Sequence, residues 1–597
     1  MTMKRLLYIA FFSGLLLSVS TSCNDLFKEV PYDKLSENAI WGDQLLLDEY
    51  VLPWYRNMDN GFSTYVTTIM KGIGREYEPW YADQMTVSRA DWYNADYGDI
   101  LRSSQQELTT RGRTKWSTYY TQIRSINVLL QNADQIPEGA HKQRILGEAH
   151  FFRAYYYYLL LRMYGAPIIL TEPYDPLTDS RKLARATYEE TVNFIVSEAS
   201  QAAALLDANI SESDAGRASK GAAYMLKAKT YFWASGVKFQ NRTESYLGFP
   251  DDRTDRMYTL AAESYDSLMS LNRYELVQIS ETTQDGIANA YHDIFLTKNS
   301  KESIWEVQHS DDGNFDTEFG HKLDRETAPP SCYGTFAAYV PTQNHVDEYR
   351  TVSGQPIETA SDYDASDPYK NRDYRFYANI LYDGCSFKGK TLEIHYTYEK
   401  YGDREYVRGA DLTAYGSSEQ ATYTRTGYYL KKFVRESQQI DNDDTYASSQ
   451  NCIIWRYAEV LLDYAEIDFK QGRTGDAMDK LNEIRRRVHM PEYESITWDD
   501  IVNERRVELA FEKSTYWDLL RWGIAEEKMS GSTNPLYGVN IYKYNDGTPT
   551  VYRQKTVNGT DNTVRYFREM QYYWPIPWDE IRRHGIPQNP SWLEMES

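Results

Sequence analysis

Apolar residues recur at spacings of three and four in several long segments, and this helical period constrains the fold more than any other feature of the sequence. Within residues 141–164 the spacings run 4, 3, 4, 3 and 4, which predicts one apolar helix face. The residues of that face are Ile145, Ala149, Phe152, Tyr156, Leu159 and Met163. Gly165 and Pro167 are expected to end the helix. A helix predicted over residues 116–134 precedes it, so the two form a helical hairpin.

The same period predicts two further hairpins. One pairs helices over residues 187–206 and 220–235. The other has apolar positions over residues 458–469 and 477–488, separated by the helix breaker Gly472. Helix pairs of about 34 residues, with small residues where the two helices cross, are typical of tetratricopeptide units. The W, L, G and Y consensus of these units is not met here. The sequence therefore predicts a mainly α fold with tetratricopeptide-like hairpins.

Between about residues 302 and 450 the pattern changes to short alternating or aromatic runs separated by Gly, Asp, Asn and Pro. Residues 303–308 and 391–398 are two such runs, and they predict short strands joined by long loops. We expect a helical scaffold over about residues 35–300 and 451–530 to fold around this inserted region. The expected result is a single body with a loop-rich region of short β-strands.

The first 22 residues are typical of a secretory signal peptide. Lys4 and Arg5 precede an apolar run over residues 6–17, which is too short to span a bilayer. Small residues then lead to Cys23, as in bacterial lipoproteins whose cysteine is lipidated and becomes the mature N-terminus. The alternative is a plain secretory signal with a chance cysteine. We expect residues 23–597 to be held at a membrane by lipid, because no later stretch is apolar enough to cross one.

Charge and cysteine content exclude several classes of site. The 87 acidic residues outnumber the 65 basic ones, for a net charge of −22. Nucleic acid is therefore not an expected partner, since phosphate binding needs a basic field. No CxxC, HExxH or GxSxG motif occurs and the histidines are scattered, so neither a metal nor another cofactor is predicted. The remaining cysteines, Cys332, Cys385 and Cys452, allow one disulfide at most.

Aromatic residues make up 15% of the chain, and residues 72–98 hold a dense group of them without a sustained helical face. A sugar ring presents C–H groups on one face and hydroxyls on its rim. A Trp or Tyr ring can stack on the face, and a neighbouring Asp or Asn can hydrogen-bond the rim. The candidate ligand-binding residues here are Trp80, Tyr81, Asp83, Trp92, Tyr93 and Asn94. The alternative is that these rings pack loops onto the helices.

Six short motifs occur in order along nearly the whole chain. They are Cys23 with Asp25, Leu26, Pro31 and Trp41; residues 147–154 (GEAHFFRA); 456–462 (RYAEVLL); 504–512 (ERRVELAFE); 518–523 (DLLRWG); and 574–577 (WPIP) before 588–590 (QNP). Together they resemble the SusD/RagB family of outer-membrane nutrient-binding lipoproteins.

The resemblance implies a SusD-like fold, no catalysis, and a position as the lid of a SusC-like TonB-dependent transporter that imports glycans or peptides. It also implies ligand contacts from loops after the first strands, which adds Phe315, Phe319 and Tyr333 to the candidates. The expected ligand is an oligosaccharide, and the expected location is the outer membrane, facing the cell exterior. Motif residues near the C-terminus, such as Glu504 and Glu508, are expected to be structural, with ion pairs at helical spacing.

Several features of the sequence admit other interpretations. Residues 384–391 (GCSFKGKT) fit the Walker A pattern of nucleotide-binding loops. A phosphate-binding loop must be followed by a helix, whereas the residues after this motif alternate like a strand. The motif is therefore predicted to be a hairpin turn. Trp305, in a predicted strand, is expected in the core. A glycoside hydrolase needs only two carboxylates, and no pair stands out. A peptide-importing lipoprotein or a tetratricopeptide-like protein-interaction scaffold is the remaining alternative.

Overall fold

The protein is mainly helical, as predicted, in the stretches that the computed structural model describes. These are residues 40–58, 82–86, 105–175, 178–310, 320–321, 323–334, 337, 339–413, 423–437, 448–557 and 567–592. For residues 105–114 only the backbone is described.

The described part of the amino-terminal half is built from long helices that pack on their neighbours in the chain. They are α1 (Gln44–Arg56), α2 (Gln105–Gln131), α3 (Ala140–Tyr164), α4 (Tyr188–Leu205), α5 (Lys220–Ala234), α6 (Thr254–Met269) and α7 (Gln284–Asp293). Consecutive helices from α2 to α6 pack against each other. The first two predicted hairpins, α2 with α3 and α4 with α5, are confirmed.

Local sequence signals set the ends of these helices. The Thr187 hydroxyl accepts a hydrogen bond from the Glu190 amide, and the Glu190 carboxylate accepts one from the Thr187 amide, so a capping box starts α4. The Ser219 hydroxyl accepts a hydrogen bond from the Ala222 amide and caps α5. Gly165 ends α3 with φ 73°, and a Cβ there would lie 2.7 Å from the Tyr246 carbonyl oxygen. Only glycine fits this turn.

The middle of the chain forms short elements between long loops, as predicted. Including β1 from the amino-terminal half, the strands are β1 (Met85–Thr86), β2 (Ser303–Val307), β3 (Val340–Pro341), β4 (Ile380–Leu381), β5 (Ser386–Phe387), β6 (Lys390–Thr391), β7 (Tyr396–Tyr398), β8 (Val407–Arg408) and β9 (Tyr429–Leu430). The helices between them are α8 (Leu323–Thr327), α9 (Gln343–Glu348) and α10 (Tyr374–Asn379).

The strand predicted over residues 391–398 is interrupted. Its ends belong to β6 and β7, but the amides of Glu393 and Ile394 donate to the carboxylates of Asp411 and Asp383, at 2.9 Å and 2.8 Å. These side chains replace the ladder partners that a continuous strand would need. The continuous-strand prediction was therefore wrong here.

The carboxyl-terminal part returns to helices and then adds a β-hairpin. Its elements are β10 (Cys452–Arg456), α11 (Tyr457–Lys470), α12 (Thr474–Arg487), α13 (Trp498–Glu508), α14 (Ser514–Arg521), α15 (Ala525–Lys528), β11 (Tyr537–Tyr544), β12 (Val551–Thr556) and α16 (Trp578–His584). The third predicted hairpin, α11 with α12, is confirmed and turns at Gly472 with φ 79°. The sequence did not predict the β11–β12 hairpin.

Strand pairing ties distant parts of the chain together. β2 pairs antiparallel with β10, β1 with β3, and β4 with β9. The largest sheet among the described residues has the order β12-β11-β7-β8, in which β11 and β7 run parallel and the other neighbours antiparallel. The carboxyl-terminal hairpin is thereby joined to the loop-rich region.

The Walker-like residues 384–391 contain an antiparallel hairpin, β5 with β6. Gly389 takes φ 72° in the turn, and the Lys390 ammonium group donates to the carbonyl oxygen of Ser331. No helix follows to face a phosphate group. The predicted hairpin turn is confirmed.

Aromatic rings fill the main core where the helices meet β2 and β10. The Trp305 side chain is 3% exposed, and its ring centroid lies 5.0 Å from Phe151, 5.3 Å from Tyr155 and 5.4 Å from Trp455. Its indole N–H donates to the Gly216 carbonyl oxygen at 3.0 Å. The prediction that Trp305 lies in the core is confirmed.

A smaller apolar cluster supports the loop-rich region, with members on β3, β4, β5 and β9 and on the connecting segments: Cys332, Ala337, Val340, Leu381, Phe387, Leu392, Ile394, Leu412, Tyr429 and Val434. Cys332, Cys385 and Cys452 form no disulfide bond with one another. None of the helices described is both long and apolar enough to cross a membrane.

Candidate functional site

A short antiparallel pairing joins the first segment predicted to bind ligand to residues that follow the second. β1 and β3 pair with Met85 opposite Pro341. β1 follows Asp83 closely in the chain, and β3 follows Tyr333, so the pairing links described residues beside the two segments. Eight of the predicted site and lipidation residues lie outside the described residues: Cys23, Trp80, Tyr81, Trp92, Tyr93, Asn94, Phe315 and Phe319.

Asp83 lies inside the protein, 5% exposed. Its carboxylate accepts hydrogen bonds from Arg506 at 2.6 Å and from Asn534 at 3.0 Å, and its carbonyl oxygen accepts one from the Thr342 hydroxyl. Burial alone would lower the pKa of Arg506, but Asp83 and Glu348 outweigh it and raise that pKa. Asp83 therefore anchors the first segment to α13 and to the residue that follows β3.

Tyr333 lies on the surface, 46% exposed. It follows the short 3₁₀-helix Pro330–Cys332 with φ 63°, a left-handed conformation that is uncommon for a bulky residue. The Lys390 ammonium group lies 5.2 Å from its ring centroid. Strained residues of this kind persist when the surrounding structure holds them, and they cluster at functional sites. Of the three aromatic candidates from the resemblance, Tyr333 is the one within the described residues.

A second aromatic surface lies on the outer side of the four-stranded sheet, and we call it the tyrosine face. Its members are Tyr396, Tyr398, Tyr406, Tyr542 and Tyr544. The Tyr398 ring centroid lies 5.5 Å from Tyr406, 6.1 Å from Tyr542 and 5.8 Å from Tyr544. Tyr396 adds contacts to Tyr406 at 5.1 Å and Tyr542 at 5.7 Å. Tyr406 is exposed and the other rings are half-buried, so the face is open to solvent.

The inner side of the same sheet is covered. Ile541 is fully buried, the Tyr552 ring lies 5.7 Å from Tyr369, and the Lys543 ammonium group lies 2.8 Å from the Asp383 carboxylate. Side chains alternate between the two sides of a strand. Burial of Ile541 and pairing of Lys543 on the inner side therefore hold the tyrosines of β11 on the outer side.

Polar groups accompany the rings of the tyrosine face. The Asn540 amide donates to the Tyr542 hydroxyl at 3.2 Å, and the Arg553 guanidinium lies 5.6 Å from the Tyr542 ring centroid. The Arg408 guanidinium donates to the Tyr423 hydroxyl at 3.2 Å. Such a surface suits a ligand with apolar faces and a polar rim. Across the described stretches, no three His, Cys, Asp or Glu side chains are grouped so as to hold a metal ion.

Our reading of the sequence missed the tyrosine face. A signal existed, because tyrosines alternate with other residues at Tyr396 and Tyr398 and again at Tyr542 and Tyr544, which is the period of one strand face. The parallel pairing of β7 with β11 then places the two pairs side by side. That pairing joins segments far apart in the chain and has no local sequence signal.

Two models of known protein families match this chain, and the matched residues include most of the elements described above. Residues 301–592 match the model of a family described as the SusD family, and residues 58–232 match a second model, described as "Starch-binding associating with outer membrane". The chain belongs to the SusD family. The first match includes the whole tyrosine face, and the second includes helices α2 to α4.

Individual SusD-like proteins extend this comparison. A SusD-like protein of Bacteroides ovatus is 26% identical over 419 residues, which are 68% of this chain and 65% of that protein, so the chain spans just under two thirds of that relative. A solved SusD-like protein from Bacteroides fragilis superposes with a TM-score of 0.71 at 24% identity, covering 94% of this chain and 99% of the other. A second solved structure, of a SusD-like carbohydrate binding protein from the same species, has a TM-score of 0.67 at 23% identity, covering 91% and 99%. The SusD-like fold predicted from the sequence is confirmed.

The motifs that resemble the SusD family form a buried network of charges. The Glu508 carboxylate, fully buried on α13, accepts hydrogen bonds from Arg487 at 2.5 Å, Arg456 at 2.8 Å and Arg375 at 3.0 Å. Glu504 accepts from Arg375 at 2.6 Å. Burial would raise the pKa of Glu508, but the three arginines outweigh it and hold that pKa well below its usual range. The network joins α10, β10, α12 and α13.

The ion pairs of these SusD-family motifs differ from the expected ones. The helical spacing of Glu504, Arg505 and Glu508 suggested pairs along one helix, but Arg505 instead binds Asp463 on α11 and Asp518 on α14, at 2.5 Å and 2.6 Å. Because all three side chains are buried, their partners must come from the elements packed around α13. The expectation of a structural role is confirmed, and the expectation of pairs within the helix was wrong.

Proposed function

We propose that this SusD-family protein is a non-catalytic cell-surface protein that binds oligosaccharides and delivers them to a SusC-like TonB-dependent transporter. The solvent-facing tyrosine face carries the proposal. Its rings are held in contact with one another by the sheet, so little side-chain entropy is lost when a ligand stacks on them. The carbohydrate-binding description of the B. fragilis structure and the starch-binding description of the second family model support this choice of ligand.

The proposed ligand surface has two parts. The tyrosine face is one, and the segments joined by β1 and β3 are the other. In this second part Tyr333 is exposed, and we propose that Trp80, Tyr81, Trp92, Tyr93, Asn94, Phe315 and Phe319 contact ligand there. Asp83 is assigned to hold the first segment in place, because Arg506 and Asn534 already occupy its carboxylate.

Removing two rings of the tyrosine face tests the proposed ligand. The double variant Tyr398→Ala with Tyr544→Ala is expected to bind its glycan about tenfold or more weakly, because central aromatic anchors carry much of the binding free energy. Isothermal titration of the mature chain against laminarin, amylopectin, xyloglucan and pectin, with each recovered glycan checked for cleavage, measures the effect. The control, Tyr398→Phe with Tyr544→Phe, keeps both rings and should retain most of the affinity.

Three results would contradict this proposal. Unchanged affinity in the double alanine variant would remove the tyrosine face from the ligand surface. Binding of peptides alone would favour the peptide-import alternative. Release of shortened glycan would identify a hydrolase.

We also propose that the mature protein begins at a lipidated Cys23 in the outer membrane. Cys23→Ala in the full-length chain is then expected to move the protein from the membrane fraction to the soluble fraction, because the lipid supplies the anchor. Immunoblotting of cell fractions measures this. Cys385→Ala, at a free internal cysteine, is the matched control and should stay with the membrane. A Cys23→Ala protein that still sediments with membranes would refute lipid anchoring.

A further inference from the structure

The four strands of the tyrosine-face sheet carry basic residues and no acidic ones. Their charged residues are Arg408, Lys543, Arg553 and Lys555. The chain as a whole has 87 acidic residues against 65 basic ones, so this sheet departs from the composition around it. A local positive field on an acidic protein attracts anions to that place in particular.

Strand register puts three of these four cations on the tyrosine side. Arg408 lies opposite Tyr396, Arg553 opposite Asn540, and Lys555 opposite Gly538, and directly paired residues share a face of the sheet. The Arg553 guanidinium over the Tyr542 ring agrees with this placement. Lys543 points to the inner side, where Asp383 neutralises it.

The three outer cations lie without carboxylate partners in the described part of the chain. Within the described residues, none of Arg408, Arg553 and Lys555 forms an ion pair with a carboxylate. Arg553 is exposed and Lys555 is half-buried. Burial, together with the nearby Arg425, lowers the pKa of Lys555 to about 8. A half-buried lysine without a counter-charge is costly, and a bound anion would relieve that cost.

We infer that the tyrosine face binds an acidic polysaccharide, whose sugar rings stack on the tyrosines and whose carboxylate or sulfate groups pair with Arg408, Arg553 and Lys555. This inference rests on the proposed function and specifies the class of glycan at the same surface. Guanidinium groups bind both carboxylates and sulfates through paired N–H donors. The net charge of −22 acts on every polyanion alike, and the carbohydrate-binding and starch-binding descriptions of the matched structure and family model favour a polysaccharide over a nucleic acid.

A charge-removing variant tests the inference. Arg408→Gln with Arg553→Gln leaves the rings in place and changes side chains at the surface, so the fold should be kept. Binding of the mature chain to polygalacturonate and to dextran sulfate is measured by affinity electrophoresis, beside neutral laminarin and amylopectin. We expect binding of at least one acidic polysaccharide, weakened by added salt, and weakened about tenfold in the variant. The two acidic probes distinguish carboxylate from sulfate recognition.

The matched control is Arg582→Gln with Arg583→Gln, which removes two positive charges from surface ion pairs on α16. It should bind the acidic probes as the wild type does. Equal weakening in both double variants would show a general charge effect and overturn the inference. Binding of an oligonucleotide in place of the acidic glycans would also overturn it.

The remaining outcomes separate this inference from the proposed function. If only neutral glycans bind, and Tyr398→Ala with Tyr544→Ala weakens them, the proposed function stands and the acidic class is refuted. If no glycan of either kind binds, both are refuted.

Discussion

Replacing Glu508 by alanine is expected to lower the free energy of unfolding by about 3 to 5 kcal/mol, because a buried ion network that loses one partner leaves uncompensated charge behind. Here Arg375, Arg456 and Arg487 would all lose the carboxylate that they share. Glu302 and Glu512 still pair with Arg456, but no acidic side chain would take the place between the three guanidinium groups. Denaturant unfolding followed by circular dichroism measures the loss.

Glu275→Ala is the control for this experiment. Glu275 pairs with Lys301 at 2.7 Å, but both side chains are largely exposed, so its loss should cost less than about 1 kcal/mol. Both variants remove one carboxylate, so a difference between their effects on the free energy of unfolding comes from the burial of Glu508. Equal effects of Glu508→Ala and Glu275→Ala would show that the network does not stabilise the fold.

Replacing Trp305 by alanine is also expected to lower the free energy of unfolding by about 3 to 5 kcal/mol. Truncation of other large aromatic residues in a core has an effect of this size. The ring contacts aromatic side chains from α3 and β10, and its indole N–H donates a hydrogen bond to the Gly216 carbonyl oxygen. Alanine would leave a cavity where the helices meet the β2–β10 pair. The measurement is the midpoint and slope of denaturant unfolding.

Two controls accompany Trp305→Ala. Trp305→Phe keeps a ring and should cost less, while Tyr401→Ala, at a side chain 68% exposed, should leave unfolding nearly unchanged. Glycan affinity per folded molecule should stay the same in Trp305→Phe, because the ring lies in the core. A Trp305→Phe protein of normal stability that no longer binds glycan would reassign Trp305 to the ligand site.

The helical part of the fold was predictable because helices are specified locally. The apolar period, Thr187 at the start of α4 and Gly472 between α11 and α12 all act within a few residues of the structure they determine. Strand pairing has no such local signal. The alternation at 391–398 was visible, but the carboxylates of Asp383 and Asp411 that interrupt it come from other parts of the chain.

In the candidate site, too, the features that depend on contacts between distant segments were not predictable. Tyr333 was found through the family resemblance and is exposed. Asp83 had the residue type and neighbours of a sugar-binding carboxylate, yet its partners Arg506 and Asn534 lie far along the chain, so the sequence around it could not show its burial. The tyrosine face depends on the parallel pairing of β7 with β11, which also joins segments far apart in the chain.

That pairing also has a consequence for the order in which the protein matures. The helical hairpins are closed by short connections and can form early, whereas β7 must wait for β11, near the carboxyl terminus, before the two rows of tyrosines meet. The tyrosine face can therefore be completed only when β11 is available to pair with β7. A chain cut short before β11 lacks Tyr542 and Tyr544 and therefore has no complete tyrosine face.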